Sequence, residues 1–173
     1  MFLPLMRPPE RKQLFACFLA NMGSIVLDYV ARQKLGGLNL NYFTFKQLPF
    51  LTPDQYSDTD VDFITPRILE LTYVAHDLEP WAKSLGFDGR PFIFNSERRA
   101  LLRAELDAYY AKLYGLGYDE LRYILDPADV MGEDYPSETF RVLKDKERKE
   151  FGEYRTQRLV LEAWHRIQTG DLH

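Results

Sequence analysis

Arg32-Gln33-Lys34-Leu35-Gly36-Gly37-Leu38-Asn39-Leu40-Asn41-Tyr42-Phe43, continuing through Thr44-Phe45-Lys46-Gln47-Leu48-Pro49, is the stretch on which the fold class turns. Before it, apolar residues recur at helical spacing; through it, leucine and aromatic residues alternate with Asn39, Asn41, Thr44 and Lys46. A period of two containing aromatic residues reads as a strand. The chain is therefore expected to be mainly α, a helical domain with a short β segment near residues 38–46. The adjacent Gly36 and Gly37 stop a preceding helix that ends in basic residues, so the backbone turns sharply beside positive charge. That architecture suits close approach to a phosphate backbone and supplies no active site.

Upstream, Leu14, Phe15, Phe18 and Leu19 form a wide apolar face after the helix entry offered by Pro8 and Pro9. Asn21 and Gly23 interrupt it, and Ser24 can cap a second segment carrying Ile25, Val26, Tyr29 and Val30. Two short helices or one bent helix are expected. Downstream, Pro53 and Asp54, Asp58, Asp60 and Asp62 read as an exposed loop, lacking the glycine and glutamate of a calcium loop. Thr65 followed by Pro66 reads as a helix start. Pro91 to Phe94 reads as a second short extended piece, Glu97 to Tyr114 as a long helix, and Asp119 to Leu125 as a short one closed by Asp126-Pro127. Ser137 offers a cap for a helix with mixed charge, and Gly152 separates that helix from a last one carrying Leu159, Val160, Ala163, Trp164 and Ile167.

A chain of 173 residues can bury roughly 70% of its unfolded surface without a disulfide or metal. Its 46% hydrophobic and 28% charged residues suit an ordered, soluble domain. The organisation reads as one compact unit of three regions: a basic first region at 1–50, an acidic loop and helical connector at 51–96, and a C-terminal helical region at 97–173. Cys17, among Phe15, Phe18 and Leu19, reads as a buried thiol, which fits a reducing, cytoplasmic setting. No apolar run reaches the roughly 20 residues of a membrane span, so a membrane role is not expected.

The net charge of −4 argues against an autonomous nucleic-acid binder, yet it is unevenly spread. Residues 1–47 carry six basic and two acidic side chains, whereas 48–97 carry three and nine. A phosphate-facing surface should come from the first block.

Nothing in the chain reads as an autonomous enzyme. There is no glycine-rich phosphate loop with its lysine and hydroxyl, no nucleophile elbow, and His76, His165 and His173 lack metal-ligand spacing. Asp126-Pro127-Ala128-Asp129 reads as a helix stop rather than a catalytic loop.

Three segments, Asn21 through Pro49, Arg98 through Asp126, and Phe151-Gly152-Glu153-Tyr154-Arg155-Thr156 on to Trp164, resemble in order the C-terminal region of large adenine-specific DNA methyltransferases. That family includes type IIG restriction–modification enzymes and the methyltransferases of phage-defence systems. The resemblance implies that the Gly-Gly stretch lies at the end of a target-recognition region, close to duplex DNA. Arg32, Lys34, Gly36, Gly37, Asn39, Asn41, Lys46 and Gln47 would then face DNA. Arg32 and Lys34 would touch phosphates, the glycines would permit close approach, and Asn39 or Asn41 would reach a sugar or base edge. Equally open is a structural reading, with glycines as a helix stop, Tyr42 and Phe43 in the core, and asparagines satisfying a turn. Arg122, Tyr123, Arg155 and Trp164 are expected to anchor helices to one another.

The family's Asn/Asp-Pro-Pro-aromatic motif is missing: the only Pro-Pro, Pro8-Pro9, lies between Arg7 and Glu10. The resemblance thus implies a noncatalytic, DNA-positioning portion of an adenine-N6 methyltransferase system. No cofactor is expected in this chain, and S-adenosylmethionine would belong to a catalytic domain outside it. The alternative is a helical docking module for a separate catalytic methyltransferase subunit.

Overall fold

The computed structural model describes residues 12–35, 40–135 and 139–172. Among them the secondary structure is helical and no β-strand occurs, which corrects the expectation of short β segments near 38–46 and 91–94. The described residues form ten α-helices: α1 (Gln13–Gly23), α2 (Ile25–Lys34), α3 (Tyr42–Phe45), α4 (Asp58–Thr72), α5 (Glu79–Ser84), α6 (Ser96–Leu113), α7 (Tyr118–Leu125), α8 (Ala128–Met131), α9 (Arg141–Phe151) and α10 (Arg155–Thr169). Gly36, Gly37, Leu38 and Asn39 lie outside the described residues, as do Pro8, Pro9 and Ser137.

Where the alternating run predicts a strand, Asn41 decides otherwise. Its side chain accepts a hydrogen bond from the Thr44 amide at 2.8 Å and starts the one-turn helix α3. An alternating pattern holds a strand only when one face is buried and a neighbour supplies a ladder, and here Tyr42 and Phe43 are 50% and 74% exposed. Residues 91–94 carry no regular secondary structure: the Phe92 amide bonds the Tyr73 carbonyl and the Phe92 ring packs on the core, with no ladder.

Helix α4 begins a full two turns before the Thr65-Pro66 signal. Ser57 and Asp60 form a reciprocal capping box, the Asp60 amide bonding Ser57 Oγ and the Ser57 amide bonding Asp60 Oδ2. Asp58 and Asp60 then sit in the first turn, where the positive end of the helix favours them. Pro66 inside the helix removes one backbone bond, at a cost of about 3 kcal/mol. Burial of Phe63, Ile64, Ile68 and Leu69 around it, at roughly 1.5–3 kcal/mol per side chain, outweighs that cost.

The chain divides into two compact units. The first comprises the described part of Met1–Met22 together with Phe50–Arg99. Its core sets Leu69, Tyr73 and Ala82 against Leu85, Phe87 and Phe92. Aromatic contacts extend it, Phe15 meeting Trp81 edge-on at 5.7 Å and Phe18 meeting Phe50 at 5.2 Å. The Trp81 indole N–H reaches Thr72 Oγ1 at 3.0 Å, so this ring packs inside without leaving its donor unmet. Arg67 is buried with its guanidinium 3.5 Å from the Phe63 ring centroid and donates to the Phe63 carbonyl.

The second unit comprises Gly23–Pro49 and Ala100–His173, again in its described part. Ser24 caps α2 through the Leu27 amide, as its position before an apolar run predicts. Helix α7 packs against α8, α10 and α2, and α10 packs against α9. Leu102, Ala108 and Tyr110 on α6, Leu121 and Leu125 on α7 and Val160 on α10 are completely or nearly completely buried. Gly152 takes φ +78°, closing α9 in a left-handed conformation that a side chain would strain. The chain then re-enters a helix at Arg155, and Glu147 on α9 caps it, accepting from the Thr156 amide at 2.7 Å and its hydroxyl at 2.6 Å. The Gly-Glu-Tyr-Arg-Thr run is thus a helix-to-helix joint.

No single helix among the described residues is long and apolar enough to cross a membrane. Helices α1 and α2 taken together reach that length and composition, but Ala16, Cys17, Ala20, Ile25, Val26 and Leu27 on them are buried within the protein.

A candidate basic and aromatic surface

Between Asp28 and Asp54 the chain carries Arg32, Lys34 and Lys46 and no carboxylate side chain. Arg32 and Lys34 occupy the last turn of α2, where the negative helix end also favours cations. Helix α3 packs against α2, so Lys46 and Gln47, which follow α3, belong to the same region of the second unit. All four side chains are exposed.

Their engagements differ. Arg32 is paired with Asp28 one turn earlier, through Nε–Oδ1 at 2.9 Å and Nη2–Oδ2 at 3.1 Å, and its guanidinium lies 5.2 Å from the Phe140 ring centroid. Its neighbour Gln33 donates to Thr139 at 3.1 Å. Arg32 therefore helps hold the end of α2 to the start of α9. Removing it would also take away the partner of Asp28, so an Arg32 substitution is a poor probe of anion binding. Lys34 forms no ion pair with a described carboxylate, and Lys46 sets its ammonium 4.4 Å from the centroid of Tyr42. These two lysines are the available positive charge.

Asn41 spends its side-chain oxygen on the Thr44 amide, so in this conformation that oxygen serves the helix cap. Leu40, Tyr42 and Phe43 are exposed at 47%, 50% and 74%, giving the lysines an apolar, aromatic companion surface. Gly36, Gly37 and Asn39 fall outside the described residues.

The remaining singled-out residues make contacts within the second unit. Arg122 on α7 bonds Asp119 at 3.0 Å, Asp129 Oδ2 at 2.8 Å and the Asp129 carbonyl at 3.0 Å, tying α7 to α8. Those carboxylates push the Arg122 guanidinium still further above its ordinary range. The Tyr123 and Tyr135 hydroxyls meet at 3.0 Å, Arg155 lies over the Phe151 ring at 4.8 Å, and Trp164 is buried on α10.

Sequence reasoning misses a polar cavity of about 520 Å³ in the second unit, lined by Asp126, Ala128, Asp129, Glu133, Lys144, Arg148 and Gln157. Its charges are largely answered internally. Lys144 Nζ lies 2.8 Å from Asp126 with both side chains buried, while Arg122 and Gln157 hold Asp129. The Tyr154 hydroxyl is buried without a hydrogen-bond partner, and burial together with Glu147, Asp126 and Asp107 pushes its pKa upward. No group of three or more His, Cys, Asp or Glu side chains among the described residues is arranged to hold a metal.

No protein-family model matches this chain, and neither curated proteins nor solved structures yield a significant match.

Proposed function

We propose that the chain is a noncatalytic DNA-positioning portion of an adenine-N6 DNA methyltransferase or restriction–methyltransferase system. The observation that carries this reading is the carboxylate-free stretch from Tyr29 to Pro53, with Lys34 and Lys46 exposed and Lys46 set over the Tyr42 ring. On a chain with net charge −4, a local field of this sign attracts phosphates while the rest of the surface repels them. DNA is then confined to one face. The methyl donor S-adenosylmethionine would be bound by a catalytic domain or subunit elsewhere, and the buried Cys17, which is in no disulfide, suits a reducing, cytoplasmic compartment.

Fluorescence anisotropy with a labelled duplex over a series of salt concentrations tests the reading. Weak binding is expected, and in Lys34→Ala/Lys46→Ala the slope of log affinity against log salt should shrink by about 2, one for each phosphate that a lysine no longer neutralises. Equal slopes in wild type and variant would remove these lysines from any DNA interface.

A second reading, docking on a separate catalytic subunit, draws on the first unit. There Ile93 and Phe94 are 93% and 67% exposed on a segment without regular secondary structure, an apolar pair suited to burial by a protein partner. Co-expression with a methyltransferase polypeptide encoded beside it should then give a complex that Ile93→Ser/Phe94→Ser abolishes. Retention of the complex by that variant would rule this segment out as the docking surface.

A further inference from the structure

The polar cavity of about 520 Å³ in the second unit lies where the end of α7, helix α8 and residues of α9 and α10 meet. Most of its wall charge is cancelled on the spot. Lys144 and Asp126 form the buried pair at 2.8 Å, and Asp129 is held by Arg122 at 2.8 Å and by Gln157 at 3.3 Å. Two wall groups of opposite sign are left over. Arg148, one turn after Lys144 on α9, and Glu133, past the end of α8, form no ion pair or side-chain hydrogen bond with any described residue, nor with each other.

An exposed arginine or glutamate on open surface needs no partner. These two line one recess instead, and in the same unit Arg122 and Arg158 each take two carboxylates. The Arg148 guanidinium keeps its planar fork open for an incoming carboxylate. Gln157 donates to Asp129 through Nε2, which leaves its side-chain oxygen as an acceptor on the same wall. With the internal pairs subtracted, a simple anion would meet the charge of Glu133 and a simple cation that of Arg148. A molecule carrying both charges meets neither penalty. The volume falls within the roughly 300–1,000 Å³ of small-molecule sites. A peptide terminus brings only one of the two charges, and nucleic acid only the negative one.

We infer that this cavity binds a small zwitterion of amino-acid size, its carboxylate on Arg148 and its ammonium on Glu133 and the Gln157 oxygen. Such a ligand joins the α8 corner to α9, across the region that the Lys144–Asp126 pair already holds. The cavity shares no lining residue with the Lys34 and Lys46 surface, so the two sites can fail independently.

The test is isothermal titration calorimetry and thermal unfolding of the full chain with L-serine, L-glutamine and γ-aminobutyrate at millimolar concentration. At least one should bind and raise the melting temperature. Its amide and its N-acetyl derivative, each lacking one charge, should bind roughly tenfold or more weakly. Arg148→Met should weaken the zwitterion by a similar factor and cost nothing further for the amide, which has no carboxylate to lose. Glu133→Gln should weaken the zwitterion too and cost nothing further for the N-acetyl form. Neither side chain holds another part of the fold, so both variants should fold, which circular dichroism checks. Absence of binding by all three zwitterions overturns the proposal. So does an equal rise in melting temperature with acetate and ammonium ions, which would mean a response to salt alone. Variants that weaken the zwitterion and its singly charged derivatives alike would make Arg148 and Glu133 supports of the cavity, and the assignment of the two charges would fall.

Discussion

Lys144→Met is expected to destabilise the protein by about 3–5 kcal/mol at neutral pH, the range for removing one partner of a buried ion pair. Lys144 Nζ and Asp126 are 2.8–2.9 Å apart, and their side chains retain only 8% and 7% of their exposure. Methionine fills much the same volume, so the effect is electrostatic rather than a cavity. What remains is a buried carboxylate whose other described hydrogen bond comes from the Ala128 amide at 3.3 Å. Asp126 also ends α7, with its own amide on the Arg122 carbonyl, so the penalty falls on the α7–α8 corner that carries the Arg122 clamp.

The double variant Lys144→Met/Asp126→Asn separates charge from packing. Asparagine keeps an oxygen for the Ala128 amide and carries no charge, so the double variant should be more stable than Lys144→Met alone. Urea denaturation of wild type, both single variants and the double variant gives the coupling energy directly. If the two single effects simply add, the ion pair is not what holds this corner.

The helical character of the chain is legible wherever apolar residues keep a 3.6-residue period over several turns. Leu102, Leu106, Tyr109 and Tyr110 mark α6, and Leu159, Val160, Ala163, Trp164 and Ile167 mark α10. Short elements are not legible. Four residues cannot establish a period, so Tyr42–Phe45 carries the strand pattern of its neighbours, and the outcome hangs on one Asn41 hydrogen bond. At α4 two start signals compete in the sequence. The Ser57–Asp60 box prevails because starting there gives the helix its buried Val61 and Phe63, which a start at Thr65 would forfeit.

The candidate surface divides the same way. Positive charge near residues 32–46 is readable from composition alone. The engagement of Arg32 by Asp28 is an i, i+4 spacing visible in the sequence, but its placement near Phe140 depends on a residue more than a hundred positions away. The exposure of Phe43 is hidden for a similar reason, since an aromatic residue in a strand-like run is ordinarily expected inside. The polar cavity joins residues from four parts of the chain and leaves no local signature.

Asp107→Asn is expected to stabilise the protein at pH 8 and to leave it nearly unchanged at pH 4. Asp107 lies on α6, partly buried, with Oδ1 accepting the Ile25 amide at 2.7 Å at the start of α2. Burial raises its pKa from 3.8 to about 7. The Ile25 hydrogen bond and Arg103 oppose that rise, Asp28 adds to it, and the Tyr154 hydroxyl faces the same field. A carboxyl with a raised folded pKa gives stability that is fully present below its unfolded value and is lost as pH climbs to the folded one. The folded chain holds a proton that the unfolded chain releases, so stability should fall between pH 4 and 7 and then level off in this contribution. A shift of about three units corresponds to roughly 4 kcal/mol as an upper figure, reduced by whatever water reaches the carboxyl. Asparagine keeps an oxygen for the Ile25 amide and has nothing to ionise. The informative quantity is the difference between the two proteins' urea midpoints across pH, because the other titrating groups are common to both. It should be close to zero at pH 4, grow through neutrality in favour of Asp107→Asn, and become flat above pH 8. A difference independent of pH would mean that Asp107 titrates in the ordinary carboxylate range, with the Ile25 amide and Arg103 outweighing burial.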